Sequence, residues 1–568
     1  MNIIKSKIKL LSAAALIIMA SCNKQLNPLL NDPSKPTAAA ADNDLYLNNL
    51  QLAFRGFYQT ASDIGDQVVR YEAMFGPTYY NAFTASSFDG LWGGAYQSIF
   101  LTANTMIPLA EAKGQFIHAG IAQALKAYTM ITMVDYFGDI PYSEADKGKD
   151  NTNPKTDPGK QVYDSAIALL DSAIANFAKT SSIAPINDLF YGVADQQIER
   201  ASWTKLAKTL KLKAYLQERL VDMTVGAKIA ALITEDDLIK TIGDDFAFSY
   251  GTKDVTPDSR HPHYSGNYGA NTGVGDYLGT YFLWSLVQEK GMWDPRARYY
   301  LYRQIDTLIV GWDNRIKDKT TTQFAIPCLY RVTPYSPGTC YCTVTPGYLG
   351  RDHGNNEGAA PDGFLRTTWG VYPVGGEFDA NQNAPAGTDR SKGQTKGGPG
   401  NGINPIWLSS FTNFLKAEAA LTLGTGGDAR ALLDSAVRQS FEKVAGFNSV
   451  IGYGISTDTN YLITPYKQKK YMDYIMSKYD VADAAGKLEI VEKEYYLAAW
   501  GNGIEPYNNY RRTGKPSNMQ PLLGGNATDF IRSFFYASVY VNFNKNAAQK
   551  TGTGTQVFWD NNPADFLH

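Results

Sequence analysis

Apolar residues recur at intervals of three and four over most of this chain and lose that period between roughly residues 246 and 402. The densest pattern is Ala122–Ala145, AQALKAYTMITMVDYFGDIPYSEA. Ala124, Ala127, Ile131 and Val134 form one stripe, and Ile121, Leu125 and Tyr128 a second. A helix that is apolar all round is buried among other helices. Gly138 supplies a residue that takes a left-handed backbone at the helix end, and Pro141 stops any continuation. Further helices are predicted over Asp44–Ala61, Ala95–Ala112, Gly159–Lys179 and Ser202–Asp222, the last with Ser202 as N-cap. Past the irregular stretch they resume over Pro405–Leu423, Ala429–Val444 and Leu488–Trp500. Helices of this length joined by loops predict hairpins stacked side by side, as in tetratricopeptide repeats, although the spacing alone does not establish the repeat.

The expected fold is therefore all-α dominated, with tetratricopeptide-like helix hairpins and a large irregular, partly β, loop-rich insertion. One domain is expected over residues 42–568: helical over 42–245, irregular over 246–402 and helical over 403–568. The insertion is rich in Gly, Pro, Asn and aromatic residues and far exceeds an ordinary loop. Such excursions carry function or cover a site. Within it, Thr307–Val310 is strand-like. Arg351-Asp352-His353 reads as a turn-forming salt-bridge cluster. His261-Pro262-His263 reads as loop, because no third metal ligand stands at ligand spacing.

The first residues form an address. Lys5, Lys7 and Lys9 precede a short apolar run, Leu10–Ala20, which ends in Met19-Ala20-Ser21-Cys22. Small residues before a cysteine here look like the cleavage and lipidation site of a bacterial lipoprotein. The expectation is a signal peptide over 1–21, lipid on Cys22, and a Pro-, Ala- and Asn-rich flexible tether over 22–41. No later run reaches the roughly 18 apolar residues of a membrane-spanning helix. Three cysteines remain, Cys328, Cys340 and Cys342. In an oxidising compartment they allow one disulfide, with either Cys340 or Cys342 able to reach Cys328.

Charge removes one class of partner. The 53 basic and 55 acidic residues leave a formal charge of −2, with no basic excess to neutralise phosphates, so no nucleic-acid partner is expected. Tyr outnumbers Phe, 37 to 26, which suits rings with a hydroxyl in water. Nucleophile-elbow, zincin, Walker and dinucleotide signatures do not occur, so no catalytic residues, cofactor or metal are expected. A glycoside hydrolase with two carboxylates stays open, since their separation is not legible in sequence.

Three features together resemble the SusD/RagB family: the Cys22 site, the Ala122–Ala145 stretch, and EKEYYLAAWGNGIEPYNNYRRTGKP near the end. Ala124, Ala127, Tyr128, Val134, Gly138, Asp139, Pro141 and Tyr142 match the family's helix-and-exit pattern. Glu494, Tyr496, Ala498, Gly503, Glu505, Tyr507, Tyr510, Arg511, Arg512, Thr513, Gly514 and Pro516 match its late pattern. Tyr495 replaces the usual basic residue and Asn509 the usual acid. The resemblance implies a right-handed α-α superhelix with an irregular ligand face. It also implies a lipid-anchored, cell-surface protein of the outer membrane that serves as lid on a SusC-type TonB-dependent transporter. Its ligand would be an oligosaccharide, or alternatively a peptide, captured without turnover.

A sugar site wants aromatic rings for its C–H faces beside planar donors and acceptors for its hydroxyls. Two loop regions supply these types: Tyr79, Tyr80, Asn81, Asp89 and Trp92 in one, Tyr268, Asn271, Tyr281 and Trp284 in the other. Arg511 and Arg512 read as structural, satisfying helix-end carbonyls and carboxylates such as Glu492 or Glu494.

Overall fold

The computed structural model describes residues 42–568 apart from 193–194, 269–275, 304–340, 342, 344–346, 356–365, 381–397, 426, 453–457, 524–529 and 568. Cys22 and its tether, Asn271, Thr307–Val310 and the three later cysteines lie outside the described residues.

Helix α1 (Asn43–Val68) starts at Asp42, whose carboxylate accepts the Asp44 N–H. It runs past the expected Ala61 because Ser62, Gly65, Asp66 and Val68 stay buried against the rest of the chain. Helix α2 (Leu101–Ala112) leads into α3 (Phe116–Phe137), in which every residue from Ile117 onward is buried. That is the environment its all-round apolar pattern demands. Gly138 ends α3 at φ +72°, with its N–H on the Val134 carbonyl at 2.8 Å. Asp139 then accepts the Gly159 N–H (2.7 Å), capping the start of α4 (Gly159–Phe177).

Helix α5 (Gln196–Gln217) begins six residues before the predicted Ser202. Asp195 is its cap, accepting the Gln197 and Ile198 N–H groups, and Ser202 lies inside the helix. The polar first turn hid this start from the apolar pattern. Trp203, Leu206 and Leu210 nonetheless form the buried face. Helix α6 (Val225–Glu235) follows.

Strand β1 (Phe246–Ser249) pairs antiparallel with β4 (Ile403–Trp407), so the two ends of the irregular region are hydrogen-bonded to each other. Between them lie α7 (Pro262–Tyr268), α8 (Thr280–Val287) and the two-residue strands β2 (Leu301–Tyr302) and β3 (Thr368–Trp369), which pair antiparallel. The predicted helix from Pro405 instead starts at Ser409 as α9 (Ser409–Leu423). Pro405 sits in β4 beside a register shift, a position where a strand tolerates the missing N–H.

Helices α10 (Ala429–Ile451), α11 (Pro465–Val481), α12 (Ala484–Ala498), α13 (Ile504–Thr513) and α14 (Ser538–Phe543) complete the chain. Successive helices pack against one another from α2 to α6 and again from α9 to α12. Helix α9 also touches α5 and α6, which joins the two helical halves. The frame is a helical superhelix of hairpins with small sheet insertions. Among the described residues no helix is long and apolar enough to cross a membrane.

Candidate functional site

The two predicted aromatic regions separate on folding into buried rings and exposed ones. Tyr79 is buried, with its hydroxyl 2.9 Å from His353 Nε2. Trp92 is stacked between Tyr96 and Tyr540 at centroid distances of 5.2 and 4.9 Å. Asp89 receives the Ser538 hydroxyl (2.5 Å) and the Val539 N–H (3.0 Å), so it holds the start of α14. Tyr268 is buried, donates to the Trp369 carbonyl and accepts the Glu377 N–H at 3.1 Å. Tyr281 is buried between Asn518 Oδ1 (2.7 Å) and the Lys493 ammonium (2.8 Å). Trp284 is half-buried against Tyr341, edge to face. Tyr80 and Asn81 are exposed, Tyr80 by 66%.

Arg351, Asp352 and His353 point to different partners. Arg351 lies over the Tyr277 ring at 4.3 Å, and Asp352 accepts from Thr280 (2.6 Å) and Gln520 (2.7 Å). The cluster forms no relay: His353 faces Tyr79, and burial lowers its pKa well below the ordinary histidine value.

Tyr80 is the exposed ring that borders a cavity. A cleft of about 250 Å³ is lined by Tyr80, Thr84, Ala85, Phe535, Gln549, Lys550 and Thr551. The two rings meet at 89° with centroids 5.5 Å apart, making a corner rather than a sandwich. Thr78 positions Tyr80 locally: its hydroxyl accepts the Asn81 N–H and caps the single turn Tyr79–Ala82. The opposite wall is fixed by Gln549, whose amide bridges the Tyr536 N–H (2.9 Å) and carbonyl (2.8 Å). Lys550 donates to Ser533 Oγ (2.8 Å) and the Phe534 carbonyl (2.7 Å). Burial and then the nearby Arg511 charge bring its pKa down to about 7. Its amine also lies over the Tyr536 ring, 4.8 Å from the centroid.

Of the residues lining this cleft, the sequence reading named Tyr80 but not Phe535 or Lys550. They stand more than 450 residues further on. The run Phe534-Phe535-Tyr536 was the available signal.

Stacked helical hairpins carrying a cleft with an aromatic corner define a helical-hairpin scaffold. A family model described as "Starch-binding associating with outer membrane" matches residues 32–306, and one described as "Susd and RagB outer membrane lipoprotein" matches residues 393–551. The chain belongs to the SusD/RagB family. A SusD/RagB family protein from Bacteroides thetaiotaomicron VPI-5482 is similar with a TM-score of 0.64 and 20% identity, over 92% of this chain and 100% of that one. A chitin-binding SusD homologue from Flavobacterium johnsoniae is similar with a TM-score of 0.61 and 18% identity, over 91% of this chain and 98% of the other. A SusD homologue from Bacteroides fragilis NCTC 9343 has a TM-score of 0.59 at 19% identity, over 88% and 94% of the two chains. At these identities the likeness is one of fold. A comparison with curated protein sequences finds no match.

Proposed function

We propose that this chain is a cell-surface lipoprotein that captures an oligosaccharide without turning it over. It then hands the sugar to a SusC-type TonB-dependent transporter, on which it sits as a lid. The observation that carries this reading is the exposed Tyr80 ring set at right angles to Phe535 over a cleft also lined by Thr84, Gln549, Lys550 and Thr551. One ring offers a stacking face to a sugar's C–H surface, while the rim offers donors and acceptors to its hydroxyls. Asn81 flanks the same corner, and Trp284 marks a separate, half-buried patch. Family membership supports the outer-membrane setting, and two relatives named as chitin-binding support a glycan ligand. Anchoring through Cys22 accords with the family description.

Calorimetric titration of the mature chain with chitin and starch oligosaccharides, and with peptides of similar size, tests the reading. Binding of one glycan class is expected, and Tyr80→Ala should weaken it about tenfold or more, the scale of a lost aromatic contact. Product analysis after prolonged incubation should show intact oligosaccharide. Peptide binding alone, or released sugar, would replace capture of glycans by another function.

A further inference from the structure

The sequence offers His261-Pro262-His263 no third metal donor, but the fold brings donors from elsewhere. His263, on α7, lies among four carboxylates: Asp63 and Asp66 of α1, Glu72 just beyond it, and Asp276. Its Nδ1 is 2.5 Å from Asp276 Oδ2 and 3.6 Å from Glu72 Oε1, and its Nε2 is 3.1 Å from Asp63 Oδ1. Trp369 stacks on the imidazole at 4.3 Å and 17°, which holds the ring plane.

The two sides of the ring differ. On the Nδ1 side the carboxylates have donors. Asp276 also accepts from Asn267 Nδ2 (2.9 Å), and Glu72 accepts from Trp369 Nε1 (3.2 Å). On the Nε2 side Asp63 Oδ1 accepts from Gln59 Nε2 (2.7 Å), whereas Asp66 is 1% exposed and neither of its oxygens has a hydrogen-bond partner. The neighbouring Ser62 hydroxyl donates instead to the Gly501 carbonyl. One oxygen each of Asp63 and Asp66 and one ring nitrogen of His263 lie within 4.8 Å of one another. A buried carboxylate without a donor is strongly disfavoured unless a cation or a proton meets it.

We propose that Asp63, Asp66 and Nε2 of His263 hold one divalent transition-metal cation of the Zn²⁺ or Mn²⁺ kind. A nitrogen with two carboxylate oxygens suits these ions, whereas Ca²⁺ and Mg²⁺ take oxygen sets. Asp276 on the Nδ1 proton is the outer carboxylate that fixes the tautomer and leaves the Nε2 lone pair for the metal. The cation neutralises the two acids it binds. The Asp63 side chain, 36% exposed, leaves a way in from solvent and a position for water. The site ties α1 of the frame to α7 of the irregular region, so its occupancy would hold that region on the scaffold.

The test uses the mature chain without a histidine tag, stripped with EDTA and dialysed against ZnCl₂ or MnCl₂. Metal content by mass spectrometry and the thermal midpoint are read. One equivalent per chain is expected, with a midpoint above that of the stripped protein. Asp66→Asn and His263→Ala should each weaken binding about tenfold or more. Asp63→Asn, at the exposed edge, gives the same reading if a buried variant fails to fold. Failure to retain either metal, an affinity unchanged by Asp63→Asn and Asp66→Asn, or binding of Ca²⁺ alone would each overturn the assignment.

Discussion

Glu199, in the first turn of α5, is 2% exposed, and neither of its carboxylate oxygens has a hydrogen-bond partner. Burial raises its pKa to about 8, and the Asp188 charge adds to the shift. The folded chain thus keeps a proton that the unfolded chain releases near the ordinary glutamate value. Between those two values the folded state binds more protons, so stability falls as pH rises through the window. Glu199→Gln should flatten that decline and raise the melting midpoint at alkaline pH by a few degrees, on the order expected for a large domain. A decline of equal size in wild type and variant would place its cause elsewhere.

Glu418 shows the opposite balance: burial alone would raise its pKa, but Arg512 and Arg219 hold it down at about 2. Arg512 Nε donates to Glu418 Oε1 at 2.7 Å and Arg219 Nε at 2.9 Å. Arg512→Ala should lower the urea-unfolding free energy by about 3–5 kcal/mol, because it leaves a buried charge half-paired. The structural role of Arg512 was legible in the sequence, but its carboxylate partner was not. Glu492 and Glu494 were the nearby candidates, whereas Glu418 comes from a helix 94 residues away and Glu494 pairs with Arg296 and Lys290. A carboxylate's distance along the chain says little about which guanidinium it meets after the helices stack. The same reasoning explains the candidate site: Tyr80 was visible as a ring in a punctuated loop, and its counterpart Phe535 was not.

Among elements, α1 and the start of α13 approach each other closely. A Cβ built on Gly503 would lie 2.1 Å from the Asp66 backbone nitrogen, and one on Gly65 would lie 2.5 Å from the Gly503 carbonyl carbon. The two backbones touch, so neither glycine has room for a methyl group. This gives Gly503, a member of the late sequence pattern, a steric reason. Gly503→Ala should cost about 3 kcal/mol or more, the upper range for overpacking, read from chemical denaturation. Gly56→Ala, within α1 where nothing lies within 4 Å of the added carbon, serves as the control. Element boundaries were legible where the signal was local. Helix α3 has its apolar faces, Gly138 and Pro141 within one short stretch. Strand β4 was hidden because its pairing partner, β1, lies more than 150 residues earlier, and five residues starting at Ile403 carry no helix or strand period of their own.

For the whole molecule, the last forty residues return to the first helical half. Phe534 N–H donates to the Tyr136 carbonyl (2.8 Å), the Tyr536 hydroxyl to the Asp139 carbonyl (2.8 Å), and Trp559 Nε1 to Asp135 Oδ1 (3.0 Å). Asp135, buried in α3, also accepts from Tyr163 and from Asn508 Nδ2, so one carboxylate gathers α3, α4, α13 and the C-terminal segment. Within the returning segment, buried Arg532 is paired with Asp560 through both of its carboxylate oxygens, at 2.6 and 2.5 Å. Ending the chain at Thr551 would remove Trp559 and Asp560 together, leaving Arg532 buried without its acid. The cost of one broken buried pair, about 3–5 kcal/mol, corresponds to a loss of about 3–5 °C in the melting midpoint of a chain this long. An Arg532→Met, Asp560→Leu double variant separates charge from packing, since replacing both members by apolar groups of similar size is often neutral. If the truncated chain melts well below wild type while the double variant stays close to it, the returning segment acts mainly as a closing layer over α3. Equal losses in both would make the ion pair itself the fastening.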